Sequence, residues 1–404
     1  MDLNKRFSIA HFDSWPGADT YYDVIQNSTP GFRHEIYDIY FGKMFRYRYH
    51  ENEVYDSHQR LHEVNYGNVM GVEATDAQVD NLFRIQREFG IDISLTINQL
   101  NIPIELFYSK NDKVVRAFIE WLGAFYQRGL RSCTLANNHM MRIGVLQRQF
   151  PEMKWKNTVN QQVATAQQVL DYLHLGYNVV QLDRSLNRNL IELRRIKDAV
   201  ENFKTRHPDK YVKTCMLVME DCLPFCPFKR EHDDLQIYHK KVNYWLSAPG
   251  ESTCDRWRNS ATGKSLTPRS GTNCVWVSPS TFKEYAELVD IFKFSGRLTA
   301  FTRLEGEGSL QYGWSAKDNA VSCFSEILEN NLAPVSGWAL GAFKMAPFEH
   351  DPDKIREDLR DSIWLTENGL KLEQTLKNCR NQCYACHMCE RTFGSPQVDS
   401  MIEL

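Results

Sequence analysis

Residues 154–200, KWKNTVNQQVATAQQVLDYLHLGYNVVQLDRSLNRNLIELRRIKDAV, decide the fold. The stretch opens on a short run, Lys154 to Val159, and a second run, Asn178 to Leu182, follows one amphipathic segment later. Between them Val163, Ala166, Val169, Leu170 and Leu173 fall on one face at helical spacing, and Gly176 supplies a C-cap. After the second run Leu190, Leu193, Ile196 and Val200 repeat that spacing until His207-Pro208 ends the segment. Strand, helix, strand, helix is the pattern of βα units, in which parallel strands are joined by helical crossovers.

Outward from this stretch, similar apolar or β-branched runs stand at Phe7 to Phe12, Glu35 to Phe41, Ile91 to Ile97, Ser132 to Ala136, Val212 to Met219 and Asp290 to Phe294. With the first two they make about eight strands, spaced near the stretch by roughly 25 to 35 residues, as a closed barrel requires. The expected fold is therefore α/β, a TIM-like (β/α)8 barrel over residues 1–335. From Asp233 to Asn273 the periodicity fades into a polar stretch containing SATGKSLTPRSGTN, an expected loop insertion after the seventh strand. A further helix is expected where Ala320, Val321, Phe324, Ile327 and Leu328 share one side, with Cys323 on the opposite flank. Residues 336–404 read as a C-terminal extension: a linker, a helix near Lys354 to Thr375, then a cysteine-rich loop.

Lys and Arg total 48 against 51 Asp and Glu, a formal net charge of -3, so no global positive field points to nucleic acid. The first residues, MDLNKRFSIAHFDSWPG, hold no apolar stretch of signal-peptide length, and no run of 18 apolar residues follows. A cytoplasmic protein without a membrane partner is expected. The 11 cysteines are then poor candidates for disulfides and good ones for metal ligands.

In NCRNQCYACHMCE, Cys379, Cys383, Cys386 and Cys389 have the spacing C-x3-C-x2-C-x2-C, so one compact loop can turn four thiolates to a point. Thiolates that close select an iron-sulfur cluster or zinc. The last three copy a ferredoxin-type run, whereas a zinc site commonly uses two separated pairs. His387 in the same loop is either a substitute ligand or a solvated loop residue. The first three also match the spacing of radical S-adenosylmethionine enzymes, although that motif ordinarily follows the first barrel strand.

A second cluster is MEDCLPFCPFKREH, where Cys222 and Cys226 directly follow the seventh strand, at the end of a barrel where active sites assemble. Two thiols need two more ligands, and Cys254 and Cys274 in or beside the inserted loop are the nearest suppliers. Cys133, Cys215 and Cys323 read instead as buried apolar residues. At the end of the sixth strand QLDRSLNRN brings Asp183, Arg184, Asn187 and Arg188 to the mouth. Such groups either orient an anionic or polar substrate or serve as a helix cap and surface ion pairs. FKFSGR ends the eighth strand with Gly296 and Arg297, an anion-holding turn or a tight loop. No nucleophile elbow, phosphate-binding glycine loop, zinc-protease helix or dinucleotide fingerprint occurs.

Three of these pieces in order, the quoted strand-helix-strand stretch, CLPFCPFKREH and WVSPSTFKEYAELVDIFKFSGR, resemble the collagenase-like peptidases, peptidase family U-thirty-two, over roughly residues 154 to 300. The resemblance implies a βα barrel with a 4Fe-4S cluster held by four cysteines, with Cys222 and Cys226 matching the family's C-x3-C ligands. It further implies oxygen-independent hydroxylation of RNA bases or an aromatic quinone precursor, with prephenate the hydroxyl donor in the RNA branch. The longer RSGNRG-like signature of the family is missing.

The function expected from all this is an iron-sulfur enzyme modifying a nucleobase or small aromatic metabolite, served by an electron donor. Asp183, Arg188 and Arg297 would hold the substrate, and one or two 4Fe-4S clusters would sit on the two cysteine sets, with zinc the alternative at the C-terminal one. The rival readings are a radical S-adenosylmethionine enzyme using the C-terminal thiols and a non-catalytic zinc-stabilised interaction module.

Overall fold

The computed structural model describes residues 7–11, 22, 25–26, 30–50, 61–68, 73–107, 112–218, 279–294, 303–306, 309–312, 367–380 and 382–388. Its strands are β1 (Phe7–Ala10), β2 (Ile36–Gly42), β3 (Met44–His50), β4 (Leu61–Gly67), β5 (Asp92–Ile97), β6 (Ser132–Leu135), β7 (Lys154–Lys156), β8 (Val179–Leu182), β9 (Lys213–Val218) and β10 (Ile291–Phe294), followed by β11 (Arg303–Gly306) and β12 (Ser309–Tyr312). The helices are α1 (Pro30–Glu35), α2 (Asp76–Phe89), α3 (Asp112–Gln127), α4 (Asn138–Arg142), α5 (Val145–Gln149), α6 (Ala166–His174), α7 (Leu190–Arg206), α8 (Pro279–Leu288), α9 (Glu367–Leu376) and α10 (Cys383–Cys386).

Eight parallel strands close into a barrel in the order β1-β10-β9-β8-β7-β6-β5-β2. Each expected strand run matches one barrel strand, most of them trimmed at the ends, while β2 runs one residue past its expected end to Gly42. The most shortened is β7, which stops at Lys156 because Thr158 leaves the ladder to cap the 3-10 turn Val159–Gln161. A TIM-like barrel is thus the observed architecture.

The decisive stretch folds as its periodicity dictates. Thr165 caps α6 by accepting from the Gln168 N–H, and Val169 and Leu173 are buried. Gly176, just past the helix end, has φ 99°, a conformation open to glycine at no steric cost. Leu190, Leu193, Ile196, Val200 and Phe203 of α7 are buried against the barrel, each contributing roughly 1.5–3 kcal/mol of apolar burial. His207 ends this helix, and its N–H still reaches the Phe203 and Lys204 carbonyls.

An unexpected element is the antiparallel hairpin β3–β4, inserted between β2 and α2. Its inner face stacks Phe45, Tyr47 and Tyr49, with Phe45 edge-on to Phe118 of α3, and the Tyr49 hydroxyl donates to Glu105 at 3.1 Å. The period-two alternation of MFRYRYH is a half-buried strand, with Arg46 and Arg48 turned outward into ion pairs with Glu73 and Glu63.

The inserted loop after the seventh strand, the helix expected near Ala320 and Leu328, and the first part of the Lys354 to Thr375 helix lie outside the described residues; α9 is the described remainder of the last. Among the described residues no helix is long and apolar enough to cross a membrane.

Candidate active site at the barrel mouth

Alternate residues of each barrel strand face the helices and form the main apolar core, among them Ile93, Leu95, Ile97, Trp155, Val180, Leu182, Met216 and Phe292. The other alternate set fills the interior, where barrels ordinarily stack branched apolar residues. Here much of that set is polar, with Ser8 on β1, Asp38 on β2, Ser94 and Thr96 on β5, Ser132 and Thr134 on β6, Lys156 on β7, Gln181 on β8 and Lys293 on β10, while Val179, Cys215 and Ile291 keep an apolar layer.

A bulge starts the polar interior. Phe7 pairs with Ile36 but Ser8 pairs with Asp38, so Tyr37 is the extra residue of β2. Tyr37 packs with Val179, Cys215 and Ile291 in a small cluster separate from the main core. The Asp38 carboxylate accepts from the Ser8 hydroxyl at 2.5 Å and forms an ion pair with the Lys156 ammonium. Above this pair the Gln181 side chain donates to the Asn157 carbonyl, Asn157 donates to the Gln181 carbonyl at 3.1 Å, and Lys293 donates to the Gln181 Oε1 at 3.2 Å. The Lys293 ammonium also lies 4.2 Å from the centroid of the Tyr40 ring, a cation–π contact.

The two ends of the barrel differ. At the N-terminal end Lys154–Asp92 and Lys213–Asp290 pair at 2.9 and 3.3 Å, and the Tyr37 and Tyr211 hydroxyls meet at 3.0 Å, closing that face. At the C-terminal end the polar interior meets the βα loops, where barrel enzymes place their chemistry. There His11 is buried, and burial lowers its pKa to about 4, so it is a neutral imidazole at pH 7. Asn68, leaving the hairpin, lies against Gly42, where any Cβ would collide with its side chain.

Of the sequence-expected residues, Asp183 and Arg188 lie at this mouth, on the 3-10 turn Arg184–Arg188 that follows β8. Asp183 caps that turn, its carboxylate accepting from the Ser185 N–H at 2.9 Å. Arg184 and Arg188 are buried rather than surface groups. Capping of the next helix falls to Asn189, which accepts from the Glu192 N–H at 3.0 Å, and not to Asn187, which donates to the Leu217 carbonyl at 2.8 Å. Cys133 and Cys215 are buried on their strands as expected, and burial pushes the Cys215 thiol up to about 12. Arg297, Cys222, Cys226, Cys254, Cys274 and Cys323 lie outside the described residues.

The C-terminal cysteine loop meets the same turn. The Cys379 N–H donates to the Arg188 carbonyl and the Leu190 N–H to the Lys377 carbonyl, both at 3.0 Å, making an antiparallel bridge between Asn189 and Asn378. Leu376 is buried, Lys377 reaches Glu284 of α8 at 2.8 Å, and Cys379 and Met388 pack against the main core. Beyond Cys379, Cys383 and Cys386 begin and end one helical turn, at the i and i+3 positions that share a face. His387 then adopts φ 49°, turning the chain back directly after Cys386. A tied-down first cysteine, a pair on one turn and a reversal fit a thiolate-held metal centre. Among the described residues no three His, Cys, Asp or Glu side chains converge as a ready-made site; Cys389 and the Cys383 side chain are outside them.

The interior set of Asp38, Lys156, Gln181 and Lys293 escaped the sequence reading. Its signal was present: FSIA, IYDIY, KWK and VVQL each place a polar residue at alternate positions of strands that a barrel buries on both faces.

No protein-family model matches the chain, and no curated protein matches its sequence. Among solved structures it is similar to the U32 peptidase Mk0906, at 13% identity and a TM-score of 0.45, over 72% of this chain and 93% of that one. It is also similar to FabK from Thermotoga maritima, at 8% identity and a TM-score of 0.28, over 93% of this chain and 97% of that one.

Proposed function

We propose that this chain is an iron-sulfur barrel enzyme of the U32 type, which modifies a nucleobase or small aromatic metabolite at the C-terminal mouth of the barrel by oxygen-independent hydroxylation or a related reaction. The observation that supports this reading is the main-chain bond from Cys379 to Arg188, which sets the start of the cysteine loop beside the buried arginines of the mouth turn. A thiolate loop and a polar barrel mouth in one place are what such an enzyme needs.

Cys379, Cys383, Cys386 and Cys389 would hold one 4Fe-4S cluster, and Cys222, Cys226, Cys254 and Cys274 a second. When bound, such a cluster supplies electron transfer and Lewis acidity, with a potential tuned by its surroundings. The chain's own residues do the rest. Arg184 and Arg188 offer forked donors to a carboxylate or phosphate. Lys293, held between Gln181 and the Tyr40 ring, adds a cation deeper in the mouth. His11, kept neutral by burial, presents an uncharged imidazole at the mouth rather than a further cation.

The test is iron and sulfide quantification on protein purified without oxygen, for wild type and two double variants, Cys222→Ala with Cys226→Ala and Cys383→Ala with Cys386→Ala. Loss of about four irons in each variant supports two clusters, and loss in one alone supports a single site. Zinc without iron or sulfide in the wild type overturns the iron-sulfur reading.

A further inference from the structure

We infer that metal occupancy of the cysteine loop and ligand occupancy of the barrel mouth are coupled through the main-chain pair of Cys379 and Arg188, an inference that rests on the metal-binding reading above.

The turn after β8 is held from three sides. Asn187 donates to the Leu217 carbonyl at 2.8 Å, and the Tyr285 hydroxyl of α8 donates to the Asn187 carbonyl at 2.6 Å. The third side is the bridge segment 377–379, which gives the Lys377 carbonyl to the Leu190 N–H and takes the Arg188 carbonyl with the Cys379 N–H. The two residues it bonds, Arg188 and Leu190, flank Asn189, so this segment fixes the point where the mouth turn becomes α7. Its own hold on the barrel is Leu376, buried in the core, and the Lys377–Glu284 ion pair.

Docking orders this segment, remote in sequence, at a cost in chain entropy of roughly 1–2 kcal/mol per residue fixed. A metal bridging the thiolates of Cys379, Cys383 and Cys386 restricts that segment beforehand. Docking then loses less entropy, and the mouth turn is held longer. Linkage makes the effect reciprocal: a ligand that immobilises the Arg184–Arg188 turn favours the docked segment and strengthens metal retention by the same factor.

The experiment is amide hydrogen exchange on the full-length chain, stripped with a chelator and then titrated with cobalt(II) alone, whose thiolate absorption bands report loading independently of activity. Exchange in residues 186–191 and 376–380 is expected to slow by roughly tenfold on loading, within the usual range of coupling factors, while β5 (Asp92–Ile97), across the barrel, stays unchanged. The double variant Cys383→Ser with Cys386→Ser removes ligands without touching the main-chain pair, and is expected to lose the slowing. Lys377→Met keeps the ligands and weakens docking; its expected signature is faster exchange in 186–191 and several-fold weaker cobalt binding. No thiolate bands in wild type overturns both this coupling and the metal reading. Bands with unchanged exchange in 186–191 overturn the coupling alone, and slowing that survives in the double variant overturns its assignment to this loop.

Discussion

Asp38 on the second barrel strand and Lys156 on the fifth form an ion pair across the barrel interior, with side chains 1% and 6% exposed. Desolvating two charges opposes folding, so such a pair is kept only where geometry and further hydrogen bonds offset the cost. Ser8 supplies one of those bonds.

Lys156→Met strands the Asp38 carboxylate in that interior and is expected to destabilise the protein by about 3–5 kcal/mol. Adding Asp38→Asn should restore more than half of the loss. Urea denaturation of the two variants measures both, and a single-variant loss below about 1 kcal/mol would contradict a dry pair.

His11 gives stability an acid limb. The unfolded chain takes a proton on this residue near its ordinary value of 6.5, the folded chain only near 4, because burial disfavours the imidazolium. Its contribution is complete above 6.5 and falls as pH drops through the interval to 4, by about 3 kcal/mol in all. His11→Gln should remove that slope; identical pH dependences of wild type and variant between pH 7 and 4.5 would rule it out.

Thiol reactivity should divide by burial. Cys386 is exposed, whereas Cys133 and Cys215 are buried and burial raises both their thiols, Cys215 to about 12. Iodoacetamide at pH 8 on folded, chelator-stripped protein is expected to label Cys386 and spare the other two, since the thiolate fraction of Cys215 is about one in ten thousand. Peptide mass mapping reads the outcome, and early labelling of Cys215 would show the interior to be open.

Gly42→Ala should displace Asn68 from the mouth, because the added methyl meets its side-chain amide and Cβ. The expected loss is about 1–3 kcal/mol in thermal or denaturant unfolding. A neutral result would mean that Asn68 swings aside without cost.

The barrel was legible in the sequence because its signals are local. The spacing of Leu190, Leu193, Ile196 and Val200, the glycine after α6 and the short runs around Phe7, Ile93 and Phe292 each report a period or a turn within a few residues. The hairpin β3–β4 was legible in principle, since MFRYRYH alternates strictly, but a strand that leaves the βα rhythm stands out only once the barrel is counted. The spacing of Cys379, Cys383, Cys386 and Cys389 was by itself enough to raise the expectation of metal ligands. What the sequence could not state is where distant residues meet: Asp38 and Lys156 are 118 positions apart, and Cys379 finds Arg188 only because Leu376 and Lys377 dock beside α8. Side-chain type and spacing determine which chemistry each segment is able to perform. Which segments share a site is settled by closure of the barrel and docking of the C-terminal segment around Leu376 and Lys377, where the free energy comes from contacts between residues that no local pattern links.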